Sequence, residues 1–175
     1  MAGGHRATFA ATEGVEDNYE EGARAVTRLR PTKKDIVIGV SASGMTQFVR
    51  GALTRARKAG ARSIFVTCDP GTELQMFVDL TIAPGVGAEV IAGSTRLKAG
   101  TATKLILNLF TTLSMIRLGK VISNLMVDLN PANAKLRDRA ARIVQELTGA
   151  EHAEARAALE KSNWIVKSAC AKLAR

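Results

Sequence analysis

The sequence predicts an α/β domain built on a parallel sheet, and three observations carry that prediction. Asp35-Ile36-Val37-Ile38-Gly39-Val40 is a short, continuous β-branched run, the pattern of a strand buried on both faces. Over residues 46–59 the apolar positions Phe48, Val49, Ala52, Leu53 and Ala56 recur at helical spacing, with Gly60 placed to end the helix. Ser63-Ile64-Phe65-Val66-Thr67 then reads as a second buried strand. Strand, helix and strand within about 30 residues make a βαβ unit, whose strands run parallel.

The remaining elements follow in order. Residues 8–29 carry Phe9, Val15, Tyr19, Ala23, Val26 and Leu29 at a loose helical spacing, with acidic residues first and basic residues last, which suits the helix dipole. Pro31 breaks this helix before the first strand. Cys68-Asp69-Pro70-Gly71 is a turn after the second strand, and residues 80–83 form a short third strand ahead of Pro84. Residues 100–118 form a helix so apolar that it should be largely buried, inside the domain or at a subunit interface. Residues 121–129 are mixed and receive no assignment. Asn130-Pro131 precedes a helix over 132–147, and Thr148-Gly149 ends it. Two short Ala-rich helices, 153–161 and 164–173, close the chain. The breaks suggest a main domain over residues 1–149 and a helical tail over 150–175.

At 175 residues the chain is long enough for one cored domain, and 46% apolar content is that of a globular protein. The net charge of +9 comes from arginines and lysines on the polar faces of helices, and aromatic residues make up only 4%. Without an aromatic platform beside the charges, this argues against a nucleic-acid partner. The two cysteines, Cys68 and Cys170, have no metal-ligand spacing and read as core thiols of a reducing cytoplasm. Neither a signal peptide nor an apolar run of about 18 residues is present, so no membrane partner is expected and the location expected is cytoplasmic.

Chemistry concentrates in three places. Residues 87–104, GAEVIAGSTRLKAGTATK, set hydroxyls, Arg96, Lys98 and Lys104 among three glycines just ahead of the long helix. Glycines admit close backbone approach, and a helix N-terminus offers free N–H groups, so this segment reads as an anion-binding corner. The alternative is a structural loop tied down by Glu89. Ser41, Ser43 and Thr46, with Gly44, sit where the first strand ends and a helix begins. One reading is a capped helix; three hydroxyls with a glycine exceed what a cap requires and favour a phosphate. Glu16 lies among five carboxylates, which form either a solvated face or the source of a general base. His5 and His152 have no nucleophile or metal partner in sequence and are assigned no role.

Taken together, EGVEDN (residues 13–18), VIGVSASGMT (37–46), residues 87–104 and NLMVDLNPANAKL (124–136) resemble the N-acetylmuramic acid 6-phosphate etherase family. Its members carry a sugar isomerase (SIS) domain, and it includes the glucokinase regulatory protein. The resemblance covers nearly the whole chain, and residues 87–104 are its most specific part. It implies a flavodoxin-like parallel sheet, partial over 1–149, with an incomplete helical module after it. The reaction implied cleaves the D-lactyl ether of N-acetylmuramic acid 6-phosphate by elimination and water addition, without metal or cofactor, using two glutamates.

By that resemblance Glu16 is one catalytic glutamate. Ser41, Ser43 and Thr46 hold the 6-phosphate, and Ser94, Thr95 and Arg96 close over the sugar. The family's other glutamate lies in a segment upstream of the matched motifs, together with the first strand of the sheet. The resemblance therefore implies one side of a phosphorylated amino-sugar site, completed in a homodimer or by a complementing SIS half. Met45, Gln47 and Phe48 stand where the etherases usually have Arg, Pro and Tyr. The rival expectation is a non-catalytic phosphosugar-binding or regulatory protein, or an inactive relic.

Overall fold

The computed structural model describes residues 1–10 and 12–174. They form two compact units, Met1–Leu107 and a second that begins at Asn108. The first contains α1 (Tyr19–Leu29), β1 (Ile36–Val40), α2 (Gln47–Lys58), β2 (Arg62–Val66), β3 (Leu80–Ile82) and the start of α3 (Lys98–Arg117). The three strands form a parallel sheet in the order β1-β2-β3, with Ile38 opposite Ile64 and Ile64 opposite Leu80. The predicted βαβ unit and third strand are thus present.

One face of the sheet carries α2. Leu53 and Phe65 are fully buried there with Leu74, and Val37 and Val49 pack against them. Gly39 is buried because α2 leaves no room for a side chain: a Cβ would sit 2.6 Å from Leu53 Cδ1. Helices α1 and α2 pack closely through two glycines. A Cβ on Gly22 would lie 1.9 Å from the Phe48 carbonyl oxygen, and one on Gly51 would lie 2.0 Å from that of Tyr19. Asp79 ties the start of β3 to β2, its Oδ2 accepting from both the backbone N–H and the hydroxyl of Ser63 at 2.7 Å.

Three expectations are corrected. The first strand is not buried on both faces: Val37 and Gly39 face α2, whereas Ile36, Ile38 and Val40 are exposed. The cause is its place at the sheet edge with helices packed on the opposite face only. The apolar helix α3 is not buried inside the domain; within this chain only Ala99 is buried, and Leu105, Leu109 and Leu113 are each more than half exposed. Its apolar residues lie all round the helix, and the chain does not cover them. Finally, α1 begins only at Tyr19, inside the acidic stretch and after Glu13, Glu16 and Asp17. Gly14 adopts a left-handed φ of 73° before a short 3-10 turn over Val15–Asp17, and Asn18 caps the helix by accepting from Glu21 N at 2.9 Å.

The second unit holds the end of α3, a hairpin of β4 (Val121–Ile122) and β5 (Leu125–Met126), and α4 (Ala134–Thr148), α5 (His152–Glu160) and α6 (Val166–Leu173). Its core is Val127 with Ala140, Ile143, Val144, Ala155, Leu159 and Val166. Asn133 caps α4, Gly149 ends it in the left-handed region, and Glu151 with Glu154 forms a capping box on α5. Among the described residues no helix is long and apolar enough to cross a membrane.

Candidate functional site

The carboxyl ends of parallel strands are where open α/β sheets take ligands, and here that edge is built from the predicted turn. Ser41 N donates to Val66 O at 3.0 Å, and Gly44 N donates back to Ser41 O at 3.2 Å, which folds the chain sharply. Gly44 has a φ of 75°, and a Cβ there would meet Thr72 Cβ at 2.7 Å. Thr72 Oγ1 donates to the Gly44 carbonyl at 3.0 Å and fixes the turn against the chain that follows β2.

The hydroxyls of Ser41 and Thr46 lie 2.8 Å apart. Thr46 is the N-cap residue of α2, yet no side chain caps the helix. Its hydroxyl is turned to buried Ser41, so the first turn of α2 presents uncapped N–H groups and the positive end of the helix dipole. The exposed Ser43 stands between them, its Oγ accepting a 3.4 Å bond from Met45 N.

Beside the turn is a hollow of about 290 Å³, whose walls include Thr46, Arg50, Asp69, Thr72 and Glu73. Arg50 sits over the Phe77 ring, 5.2 Å from its centroid, and makes no ion pair among the described residues. Asp69 Oδ1 accepts from Gly71 N at 2.9 Å. Arg50 and Thr72 escaped the sequence reading. Arg50 could have been found four residues after Thr46, one helical turn into α2; Thr72 had no signal, because its role depends on the fold.

The remaining predicted residues occupy other segments. Exposed Glu16 lies in the 3-10 turn over Val15–Asp17, which packs against α2. Ser94, half-buried, and exposed Thr95 and Arg96 lie on the loop before α3. They do not line the hollow. That loop is closed on itself: Glu89 accepts from Lys98 N and Ala99 N at 3.0 Å each, and Lys98 Nζ donates to Ala88 O at 2.8 Å. The bonds from Ala99 and Lys98 hold the Glu89 carboxyl below the usual glutamate range. A carboxylate of the chain thus occupies the N-terminus of α3. The α3 start reaches the sheet edge through a 3.8 Å contact of Cys68 Sγ with Ala99 O. Among the described residues, no group of three His, Cys, Asp or Glu side chains could hold a metal ion.

A parallel α/β sheet whose carboxyl edge carries this hydroxyl-lined turn defines a SIS-type domain. Residues 1–57 match the profile of the glucokinase regulatory protein N-terminal SIS domain, and residues 123–174 match that of the C-terminal lid domain of glucokinase regulatory protein. N-acetylmuramic acid 6-phosphate etherases are similar over nearly the whole chain. That of Rubrobacter xylanophilus is 50% identical over 99% of this chain and 58% of its own length. Those of Thermosynechococcus vestitus and Bacillus licheniformis are 48% and 47% identical over 97% of this chain and 55% and 56% of theirs. The chain is thus similar over nearly all of its length to N-acetylmuramic acid 6-phosphate etherases, and spans little more than half the length of the curated relatives it matches.

Proposed function

We propose that this chain supplies one side of a phosphosugar site and acts in the cleavage of the D-lactyl ether of N-acetylmuramic acid 6-phosphate. The observation that carries the reading is the uncapped first turn of α2 beside the paired hydroxyls of Ser41 and Thr46. A phosphate placed there would accept from backbone N–H groups and from Ser43 and Thr46. Arg50, which makes no ion pair among the described residues, adds a cation to the adjoining hollow. The family name of the relatives supplies the substrate.

The chemistry assigns the remaining roles. For an elimination to leave the double bond in the sugar, a base must take a proton from the ring carbon next to the one bearing the ether. The C–O bond then breaks, lactate leaves, and water adds to the unsaturated sugar. Glu16 is the base this chain offers, and Ser94, Thr95 and Arg96 would close over the sugar. The second acid/base group would come from a partner: a second copy, or a complementing SIS half. The exposed apolar surfaces of α3 and of β1 suit such a partner.

The test is lactate release from N-acetylmuramic acid 6-phosphate, with calorimetric binding of N-acetylglucosamine 6-phosphate in parallel. Release that disappears in Glu16→Gln while binding persists supports the reading. Binding without lactate, at any protein concentration, would assign the non-catalytic phosphosugar-binding or regulatory alternative. Absence of both would remove the phosphosugar site.

A further inference from the structure

A second hollow, of about 320 Å³, lies within the second unit, and its walls include Arg137, Asp138, His152, Arg156 and Trp164. We propose that it binds a small organic monocarboxylate, held by Arg137 and packed on Trp164. The charges around it are already balanced except for one. Asp138 is bonded to Arg142 and lies 3.5 Å from His152 Nε2. Arg156 donates to Glu160 at 3.2 Å. Arg137 has no carboxylate partner among the described residues. Its Nε donates to Pro131 O at 3.4 Å, and its guanidinium carbon is 4.9 Å from the centroid of the Trp164 ring.

That arrangement fixes the guanidinium plane and leaves its terminal nitrogens for a ligand, a fork that matches a carboxylate. A single unbalanced positive charge suits a monoanion; a phosphate dianion would bring excess negative charge beside Asp138. The indole and the alanine methyls on the wall, Ala141 among them, offer an apolar surface for the carbon body.

The loop that places the indole is itself unusual. Asn163 and Trp164 are consecutive non-glycine residues in the left-handed region, at φ 48° and 61°. A bulky residue rarely adopts that conformation, and residues so held cluster at ligand sites. The pair also closes the end of α5, where Trp164 N donates to Leu159 O at 2.8 Å, and the half-buried ring packs against the core of this unit.

Trp164 is the only tryptophan of the chain, so its emission reports this hollow directly. The full chain would be titrated with butanoate, butanamide and inorganic phosphate, following emission and calorimetric heat together. Expected is saturable binding of butanoate in the millimolar range. Arg137→Lys, which keeps the charge but loses the fork, should weaken it about tenfold. Ala134→Leu, which narrows the hollow and removes neither the arginine nor the indole, should weaken it as well, and both variants should keep the parent's circular dichroism. The proposal is overturned if butanoate produces neither heat nor an emission change, if both variants bind like the parent, or if butanamide or phosphate binds as tightly as butanoate.

Discussion

Gly22 and Phe48 meet backbone to backbone: the space where a Gly22 side chain would begin is 1.9 Å from the Phe48 carbonyl oxygen. Gly51 makes the reciprocal approach to Tyr19. Since the obstacle is main chain, no rotamer change relieves it. Gly22→Ala and Gly51→Ala should each destabilise the protein by about 1–3 kcal/mol through overpacking, even though alanine is the better helix former. Urea denaturation measures this, and a change within the noise of the parent's midpoint would show that α1 and α2 can separate freely.

Thr46→Val keeps the shape of the side chain and removes the hydroxyl that faces Ser41. Binding of N-acetylglucosamine 6-phosphate should weaken by about 1.5–3 kcal/mol, the range for hydrogen bonds to charged groups. Thr46→Val should lower stability more than Ser41→Ala does, because it leaves the buried Ser41 hydroxyl without its partner, whereas Thr46 is only half-buried. Equal phosphosugar affinity in parent and Thr46→Val would place the phosphate elsewhere.

Asp79 gives a dependence on pH. The backbone N–H of Ser63, and then its hydroxyl, hold the Asp79 carboxyl below the usual aspartate range. A folded-state value below the unfolded one means that the group stabilises the fold at neutral pH, and that this contribution is lost as the pH falls through the depressed value. The denaturation midpoint of Asp79→Asn should therefore lie below the parent's at neutral pH, and the gap should narrow on acidification past the usual aspartate range. A gap that stays constant down to strongly acidic pH would show that the charge is not what matters.

Exposed β1 offers a further test. Ile38 and Leu80 lie on one row of the sheet through Ile64, and are 38% and 50% exposed. An apolar face beside a free strand edge promotes association. Light scattering should find the chain self-associated, and Ile38→Lys should shift it towards monomer. A monomeric parent would mean that this face needs no cover.

The βαβ unit was legible because its signals are local: a β-branched run, a helical period, and Gly60 behind the helix. The turn around Ser41 was legible for the same reason. Part of what escaped was local but carried no strong residue signal, and part was set by contacts distant in sequence. The apparent helical spacing from Phe9 to Val15 gave no warning that Gly14 turns left-handed and that Asn18 starts the helix afresh. The hairpin at 121–126 turns through Ser123 at φ 55°, where no Asn-Gly pair announces it. The apolar composition of α3 implied burial, but composition carries no information on which segments pack against a helix, and within this chain only Ala99 is covered. Arg50 and Thr72 enter the hollow only because β2 and α2 bring two loops together.

The closed loop ahead of α3 has one more consequence. The bonds from Glu89 to the backbone of Lys98 and Ala99, with Lys98 reaching back to Ala88, make a ring of the segment that carries Ser94, Thr95 and Arg96. Part of the disorder such a loop would otherwise surrender on meeting a ligand is already removed when the protein folds. Opening the ring with Glu89→Ala should therefore leave any contacts with the sugar available and reduce affinity through entropy, a signature that calorimetry separates from the enthalpic loss expected of Arg96→Ala.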